Sequence, residues 1–148
     1  MNDVKTLKIT KNDLNERNEY TVSTHIEFDG HVEFEANLGV VIVLGAIKAN
    51  GRIFAGTGTG ISAGWGISAG DGISAGDGIS AGTGISAGWG ISAGLSIKAK
   101  KNIRAGFRIF AGVCSWRDLK EGENVIECRA LESGTVAFGE LKLTGGNQ

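Results

Sequence analysis

Isoleucine returns at every sixth position along the middle of this chain, from Ile61 through Ile67, Ile73, Ile79, Ile85, Ile91, Ile97 and Ile103 to Ile109. Alanine follows two places later each time, from Ala63 to Ala111. Beginning at Gly60 the text reads GISAGW, GISAGD, GISAGD, GISAGT, GISAGW and GISAGL, then loosens into SIKAKK, NIRAGF and RIFAGV. Self-similarity at a short fixed period marks a solenoid, in which each unit buries its apolar side only against its neighbours. The same unit stands at Ile47/Ala49 and Ile53/Ala55. The longer step from Ile53 to Ile61 places an insertion within Thr57 to Gly60. A degenerate version reads Ile26/Phe28, Val32/Phe34, Leu38/Val40 and Leu44/Ala46, and slips frame between Leu44 and Ile47.

Residues i and i+2 of a strand point to the same side. Ile and Ala therefore face an interior, and the residue between them faces out. That outward residue is Ser62, Ser68, Ser74, Ser80, Ser86 and Ser92, then Lys98, Arg104 and Phe110. The glycines between units read as corners, where a positive φ carries no steric penalty. Short strands separated by corners stack as coils and satisfy their backbone groups between coils. The chain has 25 glycines and no proline, which fits a ladder that needs every N–H. An α-helix is excluded because apolar spacings of two and four do not track its period, and a glycine every few residues weakens it. A polyproline-II bundle needs a small residue in every third place, but Asn102 and Arg108 occupy that slot. The expectation is an all-β fold, a single-chain parallel β-helix of hexapeptide repeats with N- and C-terminal β caps.

The number of sides stays open. With three hexads per coil, Asp71, Trp89 and Phe107 share a face; with two, Trp65, Asp77, Trp89 and Lys101 do. Handedness is open too. The small residue that left-handed hexapeptide helices carry two places before the aliphatic one is replaced here by residues such as Trp65, Asp71 and Phe107.

Three segments follow: an N-terminal cap over residues 1–25, the repeat over 26–112, and a C-terminal β cap with a tail over 113–148. Leu7, Ile9 and Val4 alternate as a strand, and Leu14 to Tyr20 reads as a turn. Val125 to Cys128 and Thr135 to Leu143 read as strands with a turn at Glu132-Ser133-Gly134, and Gly145 to Gln148 as a loose tail.

Composition narrows function. The formal net charge is −1, against wholesale phosphate binding. No apolar run is long enough for a membrane span. Met1 to Thr10 lacks an unbroken apolar stretch, so no export signal is expected, and Cys114 and Cys128 are expected as reduced thiols in a cytoplasm. Charge is nonetheless segregated: residues 97–117 hold Lys98, Lys100, Lys101, Arg104, Arg108 and Arg117 and no acidic residue.

Catalytic readings find little to stand on. His25 and His31 lie among Glu27, Asp29, Glu33 and Glu35, but read as a solvated edge of the first coil, and their spacing is unspecific for a metal. Neither cysteine has a base placed beside it. Gly56 to Gly60 lacks the Lys-Ser/Thr and the helix of a phosphate loop. The row Ser62 to Ser92 is an outward hydroxyl lattice of the kind seen on ice-binding solenoids, without their paired threonines. Trp65 and Trp89 occupy a slot that elsewhere carries Asp, Thr or Lys, and tryptophan at a wet corner is a favoured interface anchor.

The block GWGISAGDGISAG, with IFAG, CSWR and the stretches at Ile26 to Gly30 and Ala36 to Gly39, resembles a group of small repeat proteins from phages, prophages and other bacterial mobile elements. That resemblance implies a bacterial cytoplasmic setting and a protein that inhibits host machinery by binding it, as anti-CRISPR proteins do. The expected function is thus a non-enzymatic binding protein without cofactor or metal. It would occlude a host protein or protein–nucleic acid complex through Trp65, Trp89, Lys98, Lys100, Lys101, Arg104, Phe107 and Arg108. A direct nucleic-acid role is the weaker form. The alternatives are a structural or self-assembling solenoid, with homo-oligomers, and an ice- or surface-binding one.

Overall fold

A computed structural model describes residues 5–113 and 118–144. The N-terminal part contains β1 (Thr6–Ile9), a 3-10 turn (Lys11–Asp13), β2 (Ile26–Phe28), β3 (His31–Phe34) and β4 (Gly39–Val43). The regular repeat supplies β5 (Ile47–Ala49), β6 (Ile53–Ala55), β7 (Thr59–Ala63), β8 (Ile67–Ala69), β9 (Ile73–Ala75), β10 (Ile79–Ala81), β11 (Ile85–Ala87), β12 (Ile91–Ala93) and β13 (Ile97–Ala99). Then come β14 (Asn102–Ala111), β15 (Val125–Cys128), β16 (Ala130–Phe138) and β17 (Glu140–Leu143).

These strands form a parallel β-helix with three faces. Face A stacks β1, β3, β6, β9, β12 and the second half of β14. Face B stacks β2, β5, β8, β11 and the first half of β14. Face C stacks β4, β7, β10, β13, β15 and β17. The register answers the question the periodicity left open. Ile61 lies beside Ile79 and Ile79 beside Ile97, so one coil takes three hexads.

The alternation of the sequence becomes the burial pattern. Every isoleucine from Ile47 to Ile109 in the Ile-x-Ala units is at most 1% exposed, and the paired alanines at most 5%. Sealing one isoleucine in such a column contributes roughly 2–3 kcal/mol. The six serines do point outward, but two to a face: Ser62 and Ser80 on C, Ser68 and Ser86 on B, Ser74 and Ser92 on A. The flat hydroxyl row on which an ice-binding reading stood is therefore absent among the described residues.

The repeat glycines act differently from the expectation. None from Gly60 to Gly106 has a positive φ; that conformation occurs at Gly30, Gly39, Gly58, Gly112, Gly122, Gly134 and Gly139. What the corners require is space. A Cβ on Gly76 would stand 2.5 Å from the carbonyl oxygen of Gly56 one coil below. Added carbons on Gly64, Gly70, Gly82, Gly88 and Gly106 would press still harder on the carbonyl beneath. The backbone at these corners stacks too closely for a side chain.

The degenerate coils also shift frame earlier than read. The inward pair of β4 is Val41/Val43, both fully buried, whereas Val40 and Leu44 are exposed. The extra residues sit between β3 and β4, where Asn37 takes φ 62°. They stack under the insertion of the next coil: Asn37 N–H donates to Thr57 O (2.8 Å) and Gly39 N–H to Gly58 O (2.9 Å). Thr59 locks the pair. Fully buried, its hydroxyl donates to Glu35 O (2.6 Å) and accepts from Leu38 N–H (3.0 Å).

Both ends continue the solenoid path. At the N-terminus β1 joins face A, and Asn18 to Tyr20 runs along β4, with Tyr20 N–H donating to Ile42 O and Ile42 N–H to Asn18 O, each 2.8 Å. At the C-terminus Glu132 to Gly134 is a corner within β16. β16 pairs in parallel with β14, and β15 with β13, so this segment is a further coil written without the hexad. No helix of the described residues is long and apolar enough to cross a membrane. Val4 and Gly145 to Gln148 lie outside the described residues.

Candidate aromatic surface

The three-hexad coil sorts the expected binding residues into separate columns. One corner, between faces C and B, carries Trp65, Thr83 and Lys101, linked by Thr83 N–H to Trp65 O (3.2 Å) and Lys101 N–H to Thr83 O (2.9 Å). The next corner, between faces B and A, carries Asp71, Trp89 and Phe107, linked by Trp89 N–H to Asp71 O (3.3 Å) and Phe107 N–H to Trp89 O (3.2 Å). Trp65 and Trp89 thus stand on different edges of face B. Both are exposed, at 59% and 60%.

The basic residues are dispersed in the same way. Lys98 projects from face C with Glu127 beside it in register. Lys100 follows β13 at the corner that Lys101 shares with Trp65. Arg104 lies on face B, with its Nε 3.2 Å from Glu132, which also accepts a hydrogen bond from Asn102. Such an exposed pair contributes little stability, but it spends part of the positive charge. Arg108 alone of this set joins Trp89 and Phe107. The basic residues of the 97–117 segment are divided among three faces, and Arg117 lies outside the described residues.

What the coil does assemble is an aromatic surface on face A. Phe54, Ser74, Ser92 and Phe110 occupy successive rungs of its outward column. Strands lie about 4.8 Å apart, so the two phenylalanines are separated by roughly 14 Å with two small serines between them. The result is a hollow of about 570 Å³, walled at the corner by Asp71 and Trp89 and bordered by Arg52 and His31. A second hollow, about 650 Å³, continues past Trp89 and Phe110 to Phe107, Arg108 and Thr135. Phe54 and Phe110 escaped the sequence reading as a pair. The available signal was that Ser74, Ser92 and Phe110 recur at three-hexad spacing; the insertion before β7 displaced Phe54 from it.

The histidines have structural partners. His25 Nδ1 accepts the Ala46 N–H (2.9 Å) and His31 Nδ1 accepts the Arg52 N–H (3.0 Å). Each ring covers the corner glycine of the coil above, Gly45 and Gly51 respectively, and the two rings sit on different corners. A neutral imidazole accepting at Nδ1 carries its proton on Nε2. The His25 ring also meets Trp65 edge-on, with centroids 5.0 Å apart and planes inclined by 60°. Cys128 is fully buried in the last coils, and burial pushes its thiol pKa up, which disfavours the thiolate a nucleophile requires. Cys114 and Trp116 lie outside the described residues.

Compared with protein-family models, curated proteins and solved structures, the chain matches none of them.

Proposed function

We propose that this protein is a non-enzymatic binding module whose face A docks onto a host protein or a protein–nucleic acid complex and occludes it. The observation that carries this reading is the group of aromatic side chains on this face: exposed Phe54 and Trp89 and half-buried Phe110 around a serine-floored hollow, continued by exposed Phe107 along the second hollow. Isolated exposed apolar residues are ordinary, but a contiguous aromatic group rimmed by Asp71, Arg52 and Arg108 is what a protein interface uses as anchors and rim. Rigidity supports it as well: side chains held on a pre-stacked sheet lose little entropy on binding. The most concrete form is an anti-defence inhibitor of a phage or other mobile element, the setting implied by the resemblance of the repeat. In this reading Trp65 with Lys101, and Lys98 and Lys100, form secondary contacts or none.

The test is affinity purification from bacterial lysate with the intact chain and with Trp89→Ala/Phe110→Ala. A specific partner should be held by the first and lost by the second, with unchanged melting temperature, because truncating a central anchor weakens binding by about 2 kcal/mol or more. Equal recovery by both proteins would remove face A as the docking surface.

A further inference from the structure

The two ends of the solenoid are finished differently. At the N-terminal end the inward residues Ile9, Tyr20 and Ile26 are 1%, 7% and 2% exposed. The segment from Thr10 to Thr21 belongs to this first coil: Tyr20 N–H donates to Ile42 O (2.8 Å), and Asn18 Nδ2 donates to Leu38 O (2.6 Å) and Val40 O (3.1 Å). At the other end Leu141 and Leu143 stand in register with the buried Ile126 and Cys128, so they point along the same interior column. Yet they are 38% and 59% exposed. They are core residues with no coil above them among the described residues. β17, which carries them, is the terminal strand of its sheet, and such a strand directs a row of backbone donors and acceptors outward.

We propose that two copies of this chain dock end to end through this last coil. β17 pairs antiparallel with the β17 of the second copy about a two-fold axis at Leu141. The sequence of the strand selects this occupant. In an antiparallel pair centred on Leu141, each Glu140 lies opposite the Lys142 of the other copy, and Leu141 lies opposite itself. The strand Glu140-Leu141-Lys142 is therefore complementary to its own reversal, in charge as in shape. Within one chain Glu140 and Lys142 are already 3.8 Å apart and more than half exposed, free to turn toward a partner. Such an isologous contact closes on itself and builds a dimer rather than a fibre. It also covers the inward-pointing Leu131 and Val136 of the same coil, and it leaves the hollow on face A open.

Sedimentation equilibrium of the full chain measures this directly. A concentration-dependent monomer–dimer equilibrium is expected. A monomer at all concentrations, or an open series of higher species, overturns the proposal. Glu140→Lys and Lys142→Glu should each weaken dimerisation on the order of tenfold, since each places like charges opposite one another twice across the axis. The double variant should restore it; a double variant as weak as the singles overturns the register. Leu141→Cys, made with Cys114 replaced by Ser, should give a disulfide-linked dimer on mild oxidation, because directly opposed antiparallel positions lie within bridging distance. The same cysteine placed at the exposed Val22 should not. Linking through Val22 with none through Leu141 also overturns it. Loss of partner capture at face A leaves these readouts untouched, so the two proposals fail separately.

Discussion

The central coils, from β8 to β12, and the coils on either side of them follow one backbone path with two kinds of sequence. In the centre a single hexad does everything: an inward Ile and Ala, a small outward Ser, and glycine where the corners nearly touch. Away from the centre the hexad degenerates and in the outermost strands none is legible, yet β1, Asn18 to Tyr20, β15, β16 and β17 lie in the same parallel register. There the path depends on individual side chains. Thr59 bridges two stacked insertions, His25 and His31 each accept a backbone N–H from the coil above, and Tyr20 is buried in the first coil. The hexad is thus sufficient for the coil but not necessary. What both regions share is inter-coil hydrogen bonding and one inward apolar side chain per strand.

The sharpest way to break this comparison is to charge an inward position in each region. Ile79→Asp in the centre and Val41→Asp near the end should each destabilise by more than about 4 kcal/mol, since an unpaired carboxylate enters a dry column. Val40→Asp, one residue from Val41 but outward, should stay within about 0.5 kcal/mol. Urea melts of the three variants decide it. A mild Val41→Asp with a severe Val40→Asp would reverse the frame assigned to β4.

A smaller effect separates the two kinds of corner. Gly88 sits under Gly106 and over Gly70 with no room for a Cβ, so Gly88→Ala should lose about 3 kcal/mol through backbone displacement. Gly122, with open space around it but φ 83°, should lose only about 1 kcal/mol on the same change, from conformational strain. Equal losses in thermal unfolding would mean that close stacking is not what the repeat glycines provide.

Smaller again is the change that tests a bespoke lock of the terminal coils. Thr59→Val keeps shape but leaves the Leu38 N–H and Glu35 carbonyl without the hydroxyl between them, a loss of about 2 kcal/mol. Hydrogen exchange should quicken at Leu38 in that variant. In the central block Ser80→Val, an outward change, should alter stability by less than about 0.5 kcal/mol.

The binding surface was less legible than the fold, and for a definable reason. Trp65, Trp89 and Phe107 were visible because they stand in a slot that elsewhere carries Asp, Thr or Lys, and the basic residues because they cluster within residues 97–117. Their neighbours were not visible, since neighbourhood depends on how many hexads close a coil. With that number open, Trp65 and Trp89 could be read as one surface; three hexads per coil place them on separate corners. Phe54 and Phe110, which frame the hollow on face A, are far apart in sequence and became a pair only through the stacking of four rungs. The corner glycines were placed correctly but for another reason, since φ is a local property whereas the distance to the coil below is not.

What the amino-acid sequence determined alone was everything that repeats along one strand: the inward Ile and Ala, the outward Ser, the parallel solenoid, and the insertion before Ile61. These follow from the two-residue alternation of an extended chain, which needs no knowledge of the rest of the molecule. The tertiary structure alone decided what stacks on what: three faces rather than two, the frame of β4, the coil written without hexads at Val125 to Leu143, and the aromatic hollow. Those features are set by hydrogen bonds and close contacts between residues a whole coil apart, a separation on which the spacing of six is silent.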